Sequence, residues 1–362
     1  MRSFAFLLSV LLTCLPARAE ETVRIDMGAP EGTAVVRGAG LSLGPDVDEG
    51  DFTPFAGESV EVRWTLGGVQ VAGEEAARGE AVRIRAGREG GLSAGGRTVR
   101  GEVVVRAAKG RLQLINVVPL EDYLGAVLGS EMPVSFPDEA LKAQAVAART
   151  YALQKKLEAL GQPFHLGSSV LHQVYGGLQR EEARTRAAVE ATRGEVLTHE
   201  LAPIEAYFHA SCGGRTESGK AALGRGLSYL QSVSCRCGRT ASAKWELELK
   251  PEELRAVFGG EVRRLEVEGR STTGRVLALV GAGRRVDAVT FRQKLGYTRV
   301  KSLWFEVTAP RKKGQPFHLR GHGYGHGAGM CQVGARTHAE DGWDYRRILG
   351  HYYPGAELQR LY

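Results

Sequence analysis

The chain has 362 residues, 43% hydrophobic and 25% charged, with 48 glycines. That is enough to bury one large core or two smaller ones, and a soluble globular protein is expected. The formal charge of +7 is modest, and the basic pairs Arg263-Arg264, Arg284-Arg285, Lys312-Lys313 and Arg346-Arg347 are scattered with no aromatic-studded stripe, so nucleic acid is excluded as the expected partner.

Met1-Arg2, the apolar run Phe4 to Leu15 and then Ala17-Arg18-Ala19 supply the basic, greasy and small-residue parts of a secretory signal, and cleavage is expected after Ala19. The run is too short to span a membrane and no later stretch is long enough. The mature protein is therefore expected outside the cytoplasm, periplasmic or wall-associated. Cys14 after Leu11-Leu12-Thr13 offers a lipoprotein anchor as the alternative, which Thr13 disfavours. A mild basic excess suits an anionic wall, although a merely solvated surface explains it equally.

From Thr22 to about Arg100 the chain is glycine-rich, with alternating runs such as Val60 to Trp64 and Val82 to Arg85. These read as half-buried strands in a β-rich subdomain over residues 20–100. Val103 to Val105 and Leu112 to Val117 read as strands that open a larger mixed domain over 101–362.

Pro119 opens a helix and Met132-Pro133 closes it. Leu120, Leu124, Val127, Leu128 and Glu131 share one face at 3.6 residues per turn. Glu131 therefore points where leucines point. Partial burial and the negative end of the helix dipole both raise a carboxyl pKa, as a general acid near neutral pH requires. The alternative is a frayed stripe whose carboxylate bends out to water. A second helix is expected from Pro137 to about Lys155-Lys156. In it Gln144, Ala148 and Tyr151 form a stripe that reads as a pocket wall or as an ordinary amphipathic face.

Further helices are expected over Arg180 to Arg193, Pro251 to Phe258 and Met330 to Glu340. Strands are expected over Trp245 to Leu249, Leu265 to Val267, Val276 to Val280 and Trp304 to Val307. The mixture, without a βαβ rhythm, indicates an α+β fold. Without Cys14 four cysteines remain: Cys212, Cys235, Cys237 and Cys331. In an exported chain the first expectation is a disulfide between Cys212 and either Cys235 or Cys237, with Cys331 taking the other or staying free. Zinc is the competing use, but Cys235-x-Cys237 is not the usual two-residue-spaced knuckle, so no metal ligands and no cofactor are assigned. The run Gly321 to Gly329 alternates glycine with His322, Tyr324 and His326. It matches no dinucleotide cradle and resists a helix, and it reads as a loop presenting imidazoles and Tyr324 to a polar ligand.

Taken in order, Val118-Pro119-Leu120-Glu121-Asp122-Tyr123-Leu124, Ser130-Glu131-Met132-Pro133, Ala140 to Ala145 with Ala148-Arg149-Thr150-Tyr151, and the Gly-His-Gly-Tyr-Gly-His-Gly stretch closely resemble the SpoIID/LytB family. Tyr207 to Ser211, Gly213 to Glu217, Gly274-Arg275, Phe291-Arg292 and Ser302 to Phe305 look like its intermediate segments. The resemblance covers about Gly101 to Leu358. It implies a lytic transglycosylase that cleaves peptidoglycan glycan strands, especially strands stripped of stem peptides, with the catalytic glutamate at Glu131. It also implies that Gln144, Arg149, Tyr151, His209 and Ser211, together with His322, His326 and Gln332, line the glycan groove. A glycan-binding modifier that stimulates an amidase is the alternative the resemblance carries. Some family members hold zinc in the segment that is His165 to Tyr175 here, but Gly167 and His172 stand at its cysteine positions. Cys331 replaces a serine usual in the family, which implies a disulfide tying the loop.

Overall fold

Alternating burial builds the first third of the chain: Val23, Ile25 and Met27 are inside, while Arg24 and Asp26 between them are half-buried. The computed structural model describes residues 21–47, 50–87, 90–169, 172–239, 244–312 and 314–362. The expected leader Met1 to Ala19, with Cys14, lies outside them. Two sheets form here. One runs Leu166–Gly167, Thr22–Gly28, Arg111–Pro119, Glu102–Ala108, Ala81–Arg85, Ser42–Gly44, Thr53–Pro54; the other centres on Thr33–Arg37 and Ser59–Thr65. Val103 and Val105 face the core shared with Val36, Val60 and Val62, while Val104 turns to the opposite side with Ile115, as a two-residue period requires.

Strands before and after Arg100 pair with one another. Thr22–Gly28 pairs antiparallel with Arg111–Pro119, and Glu102–Ala108 pairs with both Arg111–Pro119 and Ala81–Arg85. One apolar core then continues from these sheets into the helices that follow. A separate core lies later in the chain, from Trp245 to Leu319. It is built on the sheets Lys244–Leu249, Phe317–His322, Trp304–Thr308 and Leu265–Arg270, Val276–Gly281, Arg284–Asp287. Its individual strands match the sequence patterns, but their assembly into a distinct unit depends on pairings between distant segments.

Among the described residues the helices are α1 (Leu120–Glu131), α2 (Asp138–Glu158), α3 (Ala183–Ala191), α4 (Gly219–Leu223), α5 (Pro251–Phe258), α6 (Ala288–Leu295), α7 (Gln332–Glu340) and α8 (Tyr345–Tyr352). The mixed α+β class expected from sequence is the class observed. Helix α3 starts later than expected because the Glu182 backbone N–H donates to Thr185 Oγ1 at 3.1 Å and caps it there. Helix α7 also starts two residues late, since Met330–Cys331 is spent on a parallel pairing with Phe208–His209.

Arg149 is fully buried in α2, so it does not line an open groove; this corrects the expectation from sequence. It donates to both carboxylate oxygens of Glu121 on α1, at 2.8 and 2.7 Å, and to Glu195 O, Val189 O and Thr192 Oγ1. One side chain thus fastens α1, α2, α3 and the strand Glu195–His199. Burial alone would raise the Glu121 carboxyl, but the hydrogen bonds and charge of Arg149, with the Tyr362 hydroxyl, hold it below the ordinary glutamate range. Glu195 does similar work for the C-terminus, accepting from Tyr345 Oη at 2.8 Å, from Arg346 at 3.1 Å and from Arg360 at 3.3 Å.

Removing one partner of a buried ion pair strands the other, so Arg149→Met should destabilise the protein by about 3–5 kcal/mol in denaturant titrations. A folded pKa below the unfolded one adds stability above the unfolded value, and that stability is lost as pH falls through the folded value. The gap between wild type and Arg149→Met should therefore narrow in acid. A gap that stays constant down through the carboxylate range would contradict this role for the pair.

Candidate active site

Glu131 is the last residue of α1. Met132, forced to extended backbone by the proline after it, ends the helix, and Pro133 to Phe136 turn the chain into α2. The stripe beneath Glu131 is fully buried at Leu120, Leu124, Val127 and Leu128, while Glu131 itself is half-buried. Its Oε1 accepts the Val174 backbone N–H at 2.5 Å. Burial raises the carboxyl pKa above the ordinary glutamate value, and the Val174 hydrogen bond only partly opposes this. The carboxylate bent out into water, the alternative left open by the helical pattern, is not what forms.

The segment from Gln173 to Arg180 makes the wall beside it. Gly176 N–H donates to Ser130 Oγ at 3.2 Å, and a side chain at Gly129 would overlap the Arg180 carbonyl, so α1 and this segment touch backbone to backbone. Tyr123 Oη donates to Gln173 Oε1 at 2.9 Å, Gln173 Nε2 donates to Ala148 O at 3.2 Å, and Tyr175 Oη donates to Asn116 Oδ1 at 2.8 Å. Burial, with the charges of Tyr175, Glu131 and Tyr151 nearby, pushes the Tyr123 hydroxyl well above its usual value. Tyr123, Gln173, Val174 and Tyr175 were not singled out from sequence. Val174 acts through its backbone, which no side-chain pattern reports, and Gln173 lies in a loop without periodicity.

The stripe on α2 meets a second group. Gln144 Oε1 accepts Gln332 Nε2 at 3.3 Å, and the Tyr151 ring lies 5.6 Å from Tyr207, which lies 5.9 Å from His326. The His326 and His209 rings are 5.3 Å apart. His326 Nε2–H donates to Phe208 O and its Nδ1 accepts from Ala328 N–H. His209 donates from Nδ1 to Ala328 O at 3.0 Å, leaving a buried Nε2 acceptor with no hydrogen-bond partner. Burial lowers both imidazoles, His326 to about 4, so both are neutral at neutral pH. Ser211 and Tyr324 exchange backbone hydrogen bonds at 2.9 and 2.7 Å. The loop's glycines allow this closeness: Gly325 has φ +119°, and a Cβ there would sit 2.6 Å from His209 Cβ. His322 stands apart from this group, exposed against the Trp304 ring at 5.5 Å. A concavity of about 730 Å³ opens elsewhere, between Asp46, Phe55, Glu80 and Arg106, and none of the expected site residues line it.

Among the described residues, His165 to Tyr175 bring no group of metal ligands together. His165 Nδ1 accepts the Arg24 backbone N–H at 3.1 Å, and burial with the charges of Lys156 and Arg24 lowers its pKa to about 4. His172 is exposed, and residues 170–171 lie outside the described residues. The four cysteines form no disulfide, contrary to the pairing expected from sequence; all four are buried and their sulfurs converge. Among the described residues they are the one group of three or more His, Cys, Asp or Glu side chains placed to hold a metal ion.

Comparison with known proteins matches this arrangement to relatives. A family model described as stage II sporulation protein matches residues 108–199, the stretch holding α1, α2, Glu131 and the Gln173 wall. An uncharacterised protein of Brachyspira hyodysenteriae is 32% identical over 252 residues, covering 68% of each chain. Stage II sporulation protein D of Bacillus amyloliquefaciens is 31% identical over 261 residues, 67% of this chain and 74% of that one. The amidase enhancer of Bacillus subtilis is 29% identical over 291 residues, 65% of this chain and 40% of that one. With a relative above 30% identity matched over about three quarters of its length, and with the ordered motifs around Glu131 and the glycine-histidine loop in place, the chain belongs to the SpoIID/LytB family.

Proposed function

We propose that the protein is an exported lytic transglycosylase that cleaves peptidoglycan glycan strands, with Glu131 as its general acid and then its base. The observation that carries this reading is the half-sheltered Glu131 carboxyl, whose pKa is raised by burial while one oxygen is tied to Val174 N–H. Oε1 accepts the Val174 N–H best as the carbonyl oxygen of the neutral acid, which puts the proton on Oε2. Oε2–H protonates the glycosidic oxygen and the C1–O bond breaks. The resulting carboxylate then takes the proton of the muramic acid 6-hydroxyl, whose oxygen closes on C1 to give a 1,6-anhydro end. One carboxyl serves both steps, where most glycosidases use two.

Tyr324 and His322, both exposed, offer hydrogen bonds to sugar hydroxyls, and His209 keeps a neutral Nε2 without a partner. Gln144, Gln332, Tyr151 and Ser211 are buried and both His326 nitrogens are bonded to backbone, so these residues, contrary to the expectation from sequence, shape the site from behind. Arg149 acts in this scheme only by fixing α1 to α2. The relatives named for sporulation and for amidase enhancement support a role at the cell wall, and no helix among the described residues is long and apolar enough to cross a membrane. The amidase enhancer relative favours a second reading, in which the same surface binds wall glycan without cutting it and stimulates an amidase or another wall hydrolase.

Glycan strands stripped of peptides, digested and examined by mass spectrometry, should yield fragments with anhydro ends. Glu131→Gln should lower the rate by about 10²–10⁴-fold, as loss of a general acid does. Ordinary reducing ends would indicate a hydrolase, and intact strands that still bind would favour the amidase-modifier reading. The rate at low substrate should fall as pH rises through the Glu131 pKa, with the descending limb above the ordinary glutamate range. A limb at the ordinary value would contradict a sheltered acid.

A further inference from the structure

Cys212, Cys235, Cys237 and Cys331 come from three separate segments. Cys212 follows the strand Phe208–His209, Cys235 and Cys237 flank Arg236, and Cys331 caps the start of α7. All four are buried, and their sulfurs lie within 4.8 Å of one another. A tetrahedral zinc with bonds of about 2.3 Å places its sulfurs about 3.8 Å apart. The Cys212 and Cys237 sulfurs are 3.2 Å apart, far beyond a disulfide of about 2.05 Å and near that tetrahedral edge.

The surroundings suit charged thiolates. Cys331 Sγ accepts backbone N–H groups from Cys212 and Gly334, each at 3.3 Å, and the second of these belongs to the first turn of α7. Tyr352 Oη lies 3.2 Å from Cys235 Sγ. The Arg275 guanidinium, itself buried, donates to Cys212 O and Arg215 O at 2.9 Å and adds a positive charge beside the sulfurs. Such donors stabilise thiolate and tune a metal, whereas a neutral disulfide gains little from them. Four sulfurs this close cannot all ionise without a cation among them. A side chain at Gly334 would overlap Cys235 Sγ and Tyr352 Oη, so backbone closes over the cluster.

We propose that the four cysteines hold one zinc ion as a closed tetrathiolate site. With four protein ligands and no open position, the ion is structural and takes no part in bond cleavage. Its place explains its use. Cys212 adjoins Ser211, which bridges Tyr324, and Cys331 sits between Met330 and Gln332, so the ion pins both strands that hold the glycine-histidine loop. Binding zinc displaces a proton from each thiol still carrying one and changes no oxidation state.

The test is metal analysis of the full-length protein, purified without chelator and without added reductant, alongside its intact mass and thiol alkylation under denaturing conditions. One zinc per chain is expected, with four alkylatable cysteines once the metal is chelated and a lower melting temperature after chelation. Cobalt exchanged into the site should show thiolate-to-cobalt charge-transfer bands and a tetrahedral visible spectrum. Cys331→Ser should lose the zinc or bind it far more weakly; if that variant does not fold, the wild-type stoichiometry and the cobalt spectrum still decide. A mass four hydrogens lighter with unreactive cysteines and no metal would replace the site with two disulfides. Four free thiols that take up no zinc, or iron in its place, would equally overturn it. None of these readouts depends on whether Glu131 cleaves glycan.

Discussion

Helix α2 is buried continuously from Ala143 to Leu153, and a helix enclosed on all sides must make its neighbours fit it. Alanines at 143, 145, 147, 148 and 152 let those neighbours come close. The cost of this design is Arg149, a charge held where water cannot reach it. Only a complete set of acceptors makes that tolerable, and Glu121, Glu195, Val189 and Thr192 supply it from three different elements. The position of α1, and therefore of Glu131 at its end, follows from that requirement.

The same helix joins two groups with chemical potential. Its Ala148 carbonyl receives Gln173, part of the wall beside Glu131, while Gln144 and Tyr151 meet Gln332 and Tyr207 on the way to His326 and His209. Glu131 is raised by burial and the two histidines are lowered by it. Both shifts favour neutral side chains, so the region is poised for hydrogen bonding and for proton transfer. Cations stand close by: Lys301 lies over the Tyr324 ring at 5.9 Å, Lys155 over the Tyr151 ring at 5.5 Å, and the charges of Arg292 and Arg275 act on His326.

Much of this was legible in the sequence, and the reasons differ by element. Helices α1, α2 and α5 were readable because prolines mark their starts and the burial pattern repeats at helical spacing. The Glu131 stripe was readable for the same reason. The partner of Arg149 was not, since Glu121 lies 28 residues earlier and no local pattern links them. The Val174 N–H escaped because a backbone donor in a loop leaves no trace in residue type. The unit built on the core from Trp245 to Leu319 escaped because its sheets join strands that are far apart in the chain. The cysteines misled for a related reason: spacing showed the pair at 235 and 237, whereas the four-sulfur cluster arises only when three segments meet.

The central physical claim is that a fold held by Arg149 keeps the Glu131 carboxyl sheltered enough to stay protonated beyond the range of an ordinary glutamate. Its most direct measurement is a carbon NMR titration of the side-chain carboxyl in protein labelled at glutamate, with Glu131→Gln used to assign the signal. The account predicts a Glu131 midpoint above that of the solvent-exposed glutamates in the same spectrum. A midpoint among them, or below, would contradict it.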